Sequence, residues 1–145
     1  MISPVMPTAR LDIYGSYTTN EDLAPYGIHI KGRRPRQILL DELSEKRVML
    51  IPGHRDETFC LAASESLCLG IPVVTYGHGS LKERIQHEQT GFIADNPAEF
   101  AEATLRLLKD DTIWQSVHHQ ALTQREAADW NHRAEDWLSL FRRLQ

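Results

Sequence analysis

The chain has 145 residues, 41% hydrophobic and 25% charged, which is long enough for one soluble domain with a buried core. Its 16 Lys and Arg against 20 Asp and Glu give a net charge of −4, which argues against nucleic acid as a main partner. No apolar run approaches the ~20 residues of a membrane span and no signal peptide is visible, so we expect a cytoplasmic protein.

The first third of the chain predicts two strands and one helix. Residues 1–9 contain two prolines and no hydrophobic periodicity, which is typical of an irregular arm. Strands are predicted at residues 11–15 and, because apolar and polar residues alternate, at residues 27–32. Pro35 suits the first turn of a helix that continues to about Ser44.

The middle of the chain predicts a strand, a helix and a further strand. Residues 48–52 form a short apolar run that ends in proline, which is typical of a buried strand. Apolar residues continue from Phe59 to Gly70, where a glycine suits the end of a helix, and residues 71–74 begin the next strand. In a parallel sheet the amino terminus of this helix lies at the edge where ligands bind, and its free N–H groups favour phosphate.

Two glutamates, Glu57 and Glu65, lie in the amino-terminal part of this segment. If most of the interval between them is helical, they are separated by about 80° around the helix axis and roughly 12 Å along it. One carboxylate would then lie at the mouth of the helix and the other two turns further on. This separation suits a ligand with hydroxyl groups at both ends and a diphosphate between them, although two solvated glutamates on a surface helix would show the same spacing.

The two cysteines, Cys60 and Cys68, fall on this predicted helix about 12 Å apart along its axis, which is too far for a disulfide. Their spacing matches no paired zinc motif, and His118 and His119 lack the i, i+4 spacing of a metal pair. We therefore predict no bound metal and interpret the cysteines as small buried hydrophobic residues, which fits a reducing compartment.

A glycine-rich turn, Gly77-His-Gly79, follows the strand that begins at residue 71. The two glycines allow the backbone to approach a ligand closely. Ser80 and Glu83 form a capping box, which predicts that a helix starts at Ser80. Lys82 stands where a dinucleotide fingerprint has its third glycine, so a nicotinamide site is disfavoured.

The remaining sequence predicts one more strand, at residues 90–94, followed by helices. Asn96, with Pro and Glu after it, predicts the cap of the next helix, and Asp111 predicts the cap of another at residues 112–127. Asn131 begins a last amphipathic helix, whose apolar positions include Trp137, Leu138, Phe141 and Leu144.

Five predicted strands alternate with helices, and two carboxyl-terminal helices occupy residues 112–145. This pattern predicts an α/β protein with a Rossmann-like, doubly wound and mostly parallel sheet of about five strands. We expect one domain over residues 1–145.

The spacing of Glu57 and Glu65, together with Phe59, Leu61 and Pro72-Val-Val, resembles the nucleotide-sugar half of the retaining group 1 glycosyltransferases, which have the GT-B architecture. The resemblance spans residues 10–110, and it continues in the segments Gly77-His-Gly-Ser-Leu-Lys-Glu-Arg-Ile85 and Thr90-Gly-Phe-Ile-Ala94. Thr58 and Cys60 depart from it, because they stand where the family often has small residues, commonly glycine.

The resemblance implies transfer of a sugar from a nucleoside diphosphate sugar to an acceptor, with retention at the anomeric carbon. Glu57 would be the catalytic residue that holds hydroxyl groups of the donor sugar, and Glu65 would hold the ribose hydroxyls. Backbone N–H groups near Phe59, Cys60 and Leu61 would face the diphosphate and stabilise the leaving group. The donor is then a substrate, and no further cofactor or metal is implied.

Two loops complete the donor site that the resemblance implies. The loop of Gly77 and Gly79 would face the donor sugar. The loop after the second strand, with Gly32 and Arg33, would lie near the nucleotide base, largely through backbone contacts. A solvated surface loop would also account for the charges at Arg33 and its neighbour.

The resemblance also implies that part of the enzyme is absent from this sequence. The nucleotide-binding domain of the family normally opens with a further strand and helix, whose loop contributes Arg and Lys to the diphosphate, and nothing before Leu11 supplies this unit. We therefore expect a fragment or subunit, partnered by an acceptor-binding domain or chain and able to self-associate through exposed apolar surface. Two alternatives stay open: a non-catalytic nucleotide-sugar-binding or assembly module, and a fragment of a related sugar-nucleotide epimerase.

Overall fold

A computed structural model describes residues 5–127 and 130–144 of the chain. Its strands are Leu11–Tyr14 (β1), Ile28–Gly32 (β2), Met49–Ile51 (β3), Val73–Thr75 (β4) and Gly91–Ile93 (β5). Its helices are Arg36–Ser44 (α1), Leu61–Cys68 (α2), Leu81–Arg84 (α3), Pro97–Lys109 (α4), Asp111–Ala127 (α5) and Trp130–Arg143 (α6). The predicted α/β class and each predicted strand are confirmed. Residues 5–9 contain neither helix nor strand, and residues 1–4 of the predicted arm lie outside the described part.

The five strands pair in two parallel sheets rather than in the single sheet expected. β1 pairs with β2, and β3, β4 and β5 pair in that order. In a doubly wound sheet of order 3-2-1-4-5-6, one central strand joins the outer groups. The observed groups correspond to 3-2 and 4-5-6, and no strand lies between β1 and β3 in residues 5–127 and 130–144. The sheet is therefore divided at its centre.

The hydrophobic core lies on the two faces of the β3-β4-β5 sheet. Val73 and Val74 are fully buried on opposite faces, as successive strand residues must be. One face packs against Ala63 of α2 and against α3, and the other packs against Leu107 of α4 and Val117 of α5. This part of the fold is doubly wound, as predicted.

The β1-β2 sheet contributes little to the core. Of residues 5–44, only Leu43 is buried. Two side-chain contacts anchor β1 instead: the Tyr14 hydroxyl donates to Glu42 of α1 at 2.6 Å, and Asp12 accepts from Lys46 at 2.7 Å. Because Lys46 lies just before β3, this ion pair joins β1 to the strand on the far side of the division.

The Asp12–Lys46 pair predicts a pH-dependent stability. Burial tends to raise the pKa of Asp12, but the hydrogen bond and charge of Lys46, together with Lys31 and His29, outweigh burial and lower this pKa below its ordinary value. Because the folded-state pKa is the lower one, the stabilisation is complete above the unfolded-state pKa of ~3.9. It is lost as the pH falls through the folded-state pKa.

We therefore expect Asp12→Asn to lower the free energy of unfolding by about 1–2 kcal/mol at pH 7. The difference from the wild type should shrink as the pH falls below the unfolded-state pKa of ~3.9 and through the lower folded-state pKa of Asp12. Urea unfolding of both proteins at pH 7 and at acid pH measures this difference in the free energy of unfolding. An equal difference at neutral and acid pH would show that the ion pair is not what stabilises this contact.

The helix caps follow the prediction at one of three positions. The side chain of Asn96 accepts from two backbone N–H groups of α4, as predicted. The capping box at Ser80 does not form, because Ser80 has helical backbone angles where a cap needs extended ones. Its buried hydroxyl has no hydrogen-bond partner among the described residues. Asp110, which has the extended backbone, caps α5 in place of Asp111.

The apolar side of α6 is exposed in the described structure. Four residues of the predicted stripe, Trp137, Leu138, Phe141 and Leu144, are between 53% and 75% exposed. Their amphipathic pattern is therefore real, but the rest of the described chain does not cover it. No helix in the described ranges is long and apolar enough to cross a membrane.

Candidate functional site

The predicted site residues lie on loops at the carboxyl ends of parallel strands. The loops after β3 and β4 share one edge of the larger sheet, and the loops after β1 and β2 share one edge of the smaller sheet. An ion pair between Arg36 and Glu65 links the two sets. The division of the sheet thus leaves both halves of the predicted site connected.

Glu57 lies in the turn that leads into α2, not on the helix. Its Oε1 accepts a hydrogen bond from the backbone N–H of Cys60 at 2.9 Å and approaches that of Phe59 at 3.5 Å. The predicted helical path from Glu57 to Glu65 is therefore wrong, because α2 begins only at Leu61. Two of the N–H groups expected to face a diphosphate bind this carboxylate in the structure.

The turn contains one backbone conformation that is unfavourable for its residue. Cys60 has φ 58° and ψ 76°, in the left-handed region that a non-glycine residue rarely adopts. Its side chain is buried and packs in the cluster that contains Val73 and Leu81. Cys60 is also one of the positions where the resembled family commonly has glycine, and the structure supplies the physical reason for a glycine there.

We expect Cys60→Gly to be more stable than Cys60→Ala by about 1 kcal/mol. Both variants lose the buried sulfur, but only glycine relieves the left-handed backbone. Cys68 provides the matched control, because it lies in α2 with helical geometry and there glycine should be the less stable of the pair. Urea unfolding of the four variants decides the order, and alanine exceeding glycine at both positions would contradict strain at Cys60.

The loop after β4 packs directly on the Glu57 turn. The Ser80 N–H donates to the Glu57 carbonyl at 2.9 Å. Gly79 has φ 57°, and a Cβ built there would lie 2.5 Å from the same carbonyl oxygen. Gly79 is therefore required for the two loops to meet. Gly77 lies two residues earlier in this loop, where a Cβ would meet the Ile93 side chain at 2.9 Å.

Glu65 lies within α2, and its side chain is 21% exposed. The Nε and Nη2 atoms of Arg36 both approach one carboxylate oxygen, Oε1, at 3.0 and 2.9 Å. Both contacts are made to Oε1, which leaves the other oxygen, Oε2, to accept hydrogen bonds from a ligand. Arg36 was not singled out in the sequence, although it follows Pro35 at the start of α1.

Gly32 and Arg33 form a second group, at the ends of β1 and β2. Gly32 has φ 68°, and the Arg33 Nε donates to the Ser16 hydroxyl at 2.9 Å in the loop after β1. No hydrogen bond or ion pair in the described structure joins either residue to the Glu57 turn. The predicted site thus consists of one cluster around Glu57, Cys60 and Gly79 and a neighbouring group reached through Arg36.

The cluster around Glu57 faces solvent. Phe59 is 49% exposed, Leu61 is 68% exposed, and His78 and Gly79 are also exposed. The Arg84 guanidinium lies over the Phe59 ring, with its carbon 3.5 Å from the ring centroid. No role for Arg84 was predicted from the sequence. The only sequence feature that indicates it is a charged residue within a short segment bounded by two apolar residues, Leu81 and Ile85.

Other features of the structure lie apart from this cluster. A cavity of about 440 Å³ is lined by residues 21–24 and 28–31 and shares no residue with it. Within residues 5–127 and 130–144, no three His, Cys, Asp or Glu side chains are grouped as a metal site requires.

The sequence is similar to a known protein family and to individual proteins. The sequence profile of the family described as "Glycosyl transferases group 1" matches residues 16–128. A D-inositol 3-phosphate glycosyltransferase from Nocardioides sp. is 29% identical over 100 residues, which cover 68% of this chain and 22% of the relative. The protein of the same name from Thermomonospora curvata is 33% identical over 79 residues, covering 53% and 18%.

A solved structure shares the fold. The sucrose-phosphate synthase from Thermosynechococcus elongatus superposes with a TM-score of 0.78 at 20% identity, over 99% of this chain and 41% of that chain. The superposition includes both sheets, so their relative placement is that of a Rossmann-like domain. The chain spans about a fifth of the length of the curated relatives it matches.

Proposed function

We propose, from the premise that this chain belongs to the group 1 glycosyl transferases, that it is the donor-binding half of an enzyme that transfers a sugar from a nucleoside diphosphate sugar. The observation that carries the proposal is the placement of two carboxylates around the start of α2. Glu57 caps the turn before the helix, and Glu65 keeps one carboxylate oxygen available one turn into it. Both lie at the sheet edge where such folds bind ligands.

In the proposed complex the two glutamates hold opposite ends of the donor. Glu65 accepts hydrogen bonds from the ribose hydroxyls, while Arg36 keeps the carboxylate in place. Glu57 accepts from hydroxyls of the donor sugar and shares the N–H groups of Phe59 and Cys60 with the diphosphate. These N–H groups then stabilise the charge that develops on the leaving diphosphate. The proposed transfer retains the configuration at the anomeric carbon.

The loops beside the two glutamates complete the proposed site. Gly79 and Gly77 line the side of the donor sugar, next to the Glu57 turn. Gly32 and Arg33 lie towards the base, at the end of β2. The N–H of Leu61, the first residue of α2, faces the diphosphate. No metal and no cofactor is part of this proposal, because the helix terminus and nearby arginines supply the positive charge.

We further propose that other segments complete the enzyme. A strand from outside the described residues would join β1 to β3 and restore the sheet order, with its loop adding charge for the diphosphate. An acceptor-binding domain would close over the exposed Glu57 cluster, and the apolar side of α6 is available for a partner or for self-association. The exposure of Leu11, and of Trp137, Leu138 and Phe141 on α6, supports these proposals.

Calorimetric titration with UDP, GDP and ADP tests donor binding, and Glu65→Gln tests the ribose contact. Because the substitution removes a charged hydrogen-bond partner, we expect the affinity for the preferred nucleotide to fall by about 1–3 kcal/mol. Glu102→Gln on α4, an exposed residue with the same charge change, is the control and should leave affinity unchanged.

An unchanged affinity of the folded Glu65→Gln protein would remove Glu65 from the site. Absence of binding by the wild type for all three nucleotides would instead favour an assembly module. Conversion of a free nucleotide sugar to its epimer would favour the epimerase alternative.

A further inference from the structure

One peptide unit, between Phe59 and Cys60, is held from both sides. Its N–H donates to the Glu57 carboxylate at 2.9 Å. Its carbonyl oxygen accepts from the Nε of Arg84. A charged donor and a charged acceptor therefore bind the same peptide. The Arg84 guanidinium, the peptide and the Glu57 carboxylate form a continuous chain of hydrogen bonds.

The geometry of a peptide makes these two contacts depend on each other. Because the unit is planar and trans, its C=O and N–H point in opposite directions. Fixing the direction of the Phe59 oxygen therefore fixes the direction of the Cys60 hydrogen. A cation on the oxygen also polarises the N–H and strengthens it as a donor.

The peptide needs such a restraint, because the backbone beside it is strained. Cys60 has φ 58°. Rotating the Phe59–Cys60 unit by about 180° would return that angle to the allowed negative range. The rotated peptide would turn its carbonyl oxygen, instead of its N–H, towards Glu57 and towards any diphosphate bound there. The functional orientation is thus the one that local backbone sterics oppose.

Arg84 is well placed to maintain this orientation. It is half-buried, its Nη1 donates to the Ser64 hydroxyl at 3.0 Å, and its guanidinium lies 3.5 Å from the Phe59 ring centroid. Among the described residues no carboxylate lies within ion-pair distance of it. Its charge is therefore not neutralised by a carboxylate, and its Nε is directed at the carbonyl oxygen of the peptide.

We propose that Arg84 is a positioning residue of the donor site: it holds the Phe59–Cys60 peptide so that the Cys60 N–H faces Glu57 and the donor diphosphate. The inference rests on the proposed function for its ligand, but not for the peptide geometry itself. It predicts that removal of the guanidinium weakens recognition of the diphosphate far more than recognition of the nucleoside.

The test compares Arg84→Met and Arg84→Lys with Arg106→Met as a control. Arg106 also lies over an aromatic ring, that of Phe92, at 5.1 Å, but it is on α4. Proton–nitrogen NMR spectra of the ligand-free proteins report the state of the Cys60 amide. Titrations with the tightest-binding of UDP, GDP and ADP, and with the matching nucleoside, report ligand recognition.

We expect Arg84→Met to move the Cys60 amide proton upfield, because a hydrogen bond to a carboxylate is lost. Affinity for the nucleoside diphosphate should fall about 10-fold, the value of one charged hydrogen bond, while nucleoside affinity stays within about twofold. Arg84→Lys should restore part of both effects, and Arg106→Met should show neither.

An unmoved Cys60 amide in the folded Arg84→Met protein would overturn the inference, whatever happens to binding. Equal losses for the nucleoside and its diphosphate would also overturn it, because they indicate a general loss of structure. If the wild type binds no nucleotide, the proposed donor site fails, and the Cys60 amide still decides whether Arg84 sets the peptide.

Discussion

Replacement of Glu57 by alanine is expected to abolish sugar transfer in an enzyme that joins this chain to an acceptor-binding domain. Glu57 is proposed to hold donor-sugar hydroxyls, and its carboxylate also organises the N–H groups of Phe59 and Cys60. Loss of a single preorganised group at a developing charge costs about 10²–10³ in rate, and Glu57 serves both the sugar and the turn. The loss should therefore exceed this range.

Two variants separate these roles of Glu57. Glu57→Gln keeps an oxygen that can accept from the Cys60 N–H, so the turn should persist and a small residual rate should remain. Asp56→Ala removes the neighbouring carboxylate, which is 89% exposed, and should leave the rate unchanged. Initial rates of glycoside formation, measured with saturating donor, compare the three. A Glu57→Ala enzyme with more than a tenth of the wild-type rate would exclude Glu57 from the reaction.

The 145-residue chain alone is expected to transfer no sugar. Transfer requires an acceptor hydroxyl held close to the anomeric carbon, and such positioning can contribute ~7–11 kcal/mol. In the structure the face around Glu57 is open, with His78 and Gly79 exposed, so the described residues offer no second wall for an acceptor.

Release of sugar from a labelled donor, with and without candidate acceptors, measures this. Transfer by the isolated chain well above donor hydrolysis would contradict the expectation. Joining the chain to the amino-terminal part of a family member should create activity, and the Glu57→Ala change should then remove it. This second arm shows that inactivity of the isolated chain reflects the absent acceptor site.

Much of the α/β fold follows from local patterns, whereas the division of the sheet does not. Short apolar runs such as residues 48–52 and the cap at Asn96 define elements through neighbouring residues. The pairing of β1 with β2, and of β3 with β4, depends on which strand lies beside which, and no local pattern records that β1 and β3 lack a shared neighbour.

The candidate site could likewise be predicted only in part, because local patterns indicate its loop residues but not the partners that the fold brings to them. The spacing to Glu65 indicates Glu57, and the Gly-x-Gly turn indicates Gly79, but the apolar pattern through Phe59 predicts a helix where the structure has a turn. The left-handed backbone of Cys60 could not be read from a cysteine. Arg36 and Arg84 reach partners 29 and 25 residues away in the chain, so only the fold reveals them.

The most direct test of the account is a nitrogen-resolved NMR titration of the 145-residue chain with UDP-, GDP- and ADP-glucose. Without the charge of a basic loop, binding rests on the α2 terminus, which contributes ~0.3–2 kcal/mol, and on a few side chains. We expect one donor to shift the amides of Phe59, Cys60, Leu61 and Glu65 saturably, with a Kd on the order of 0.1–1 mM. No shift with any donor, or shifts confined to the cavity at residues 21–31, would contradict a donor site at the two glutamates.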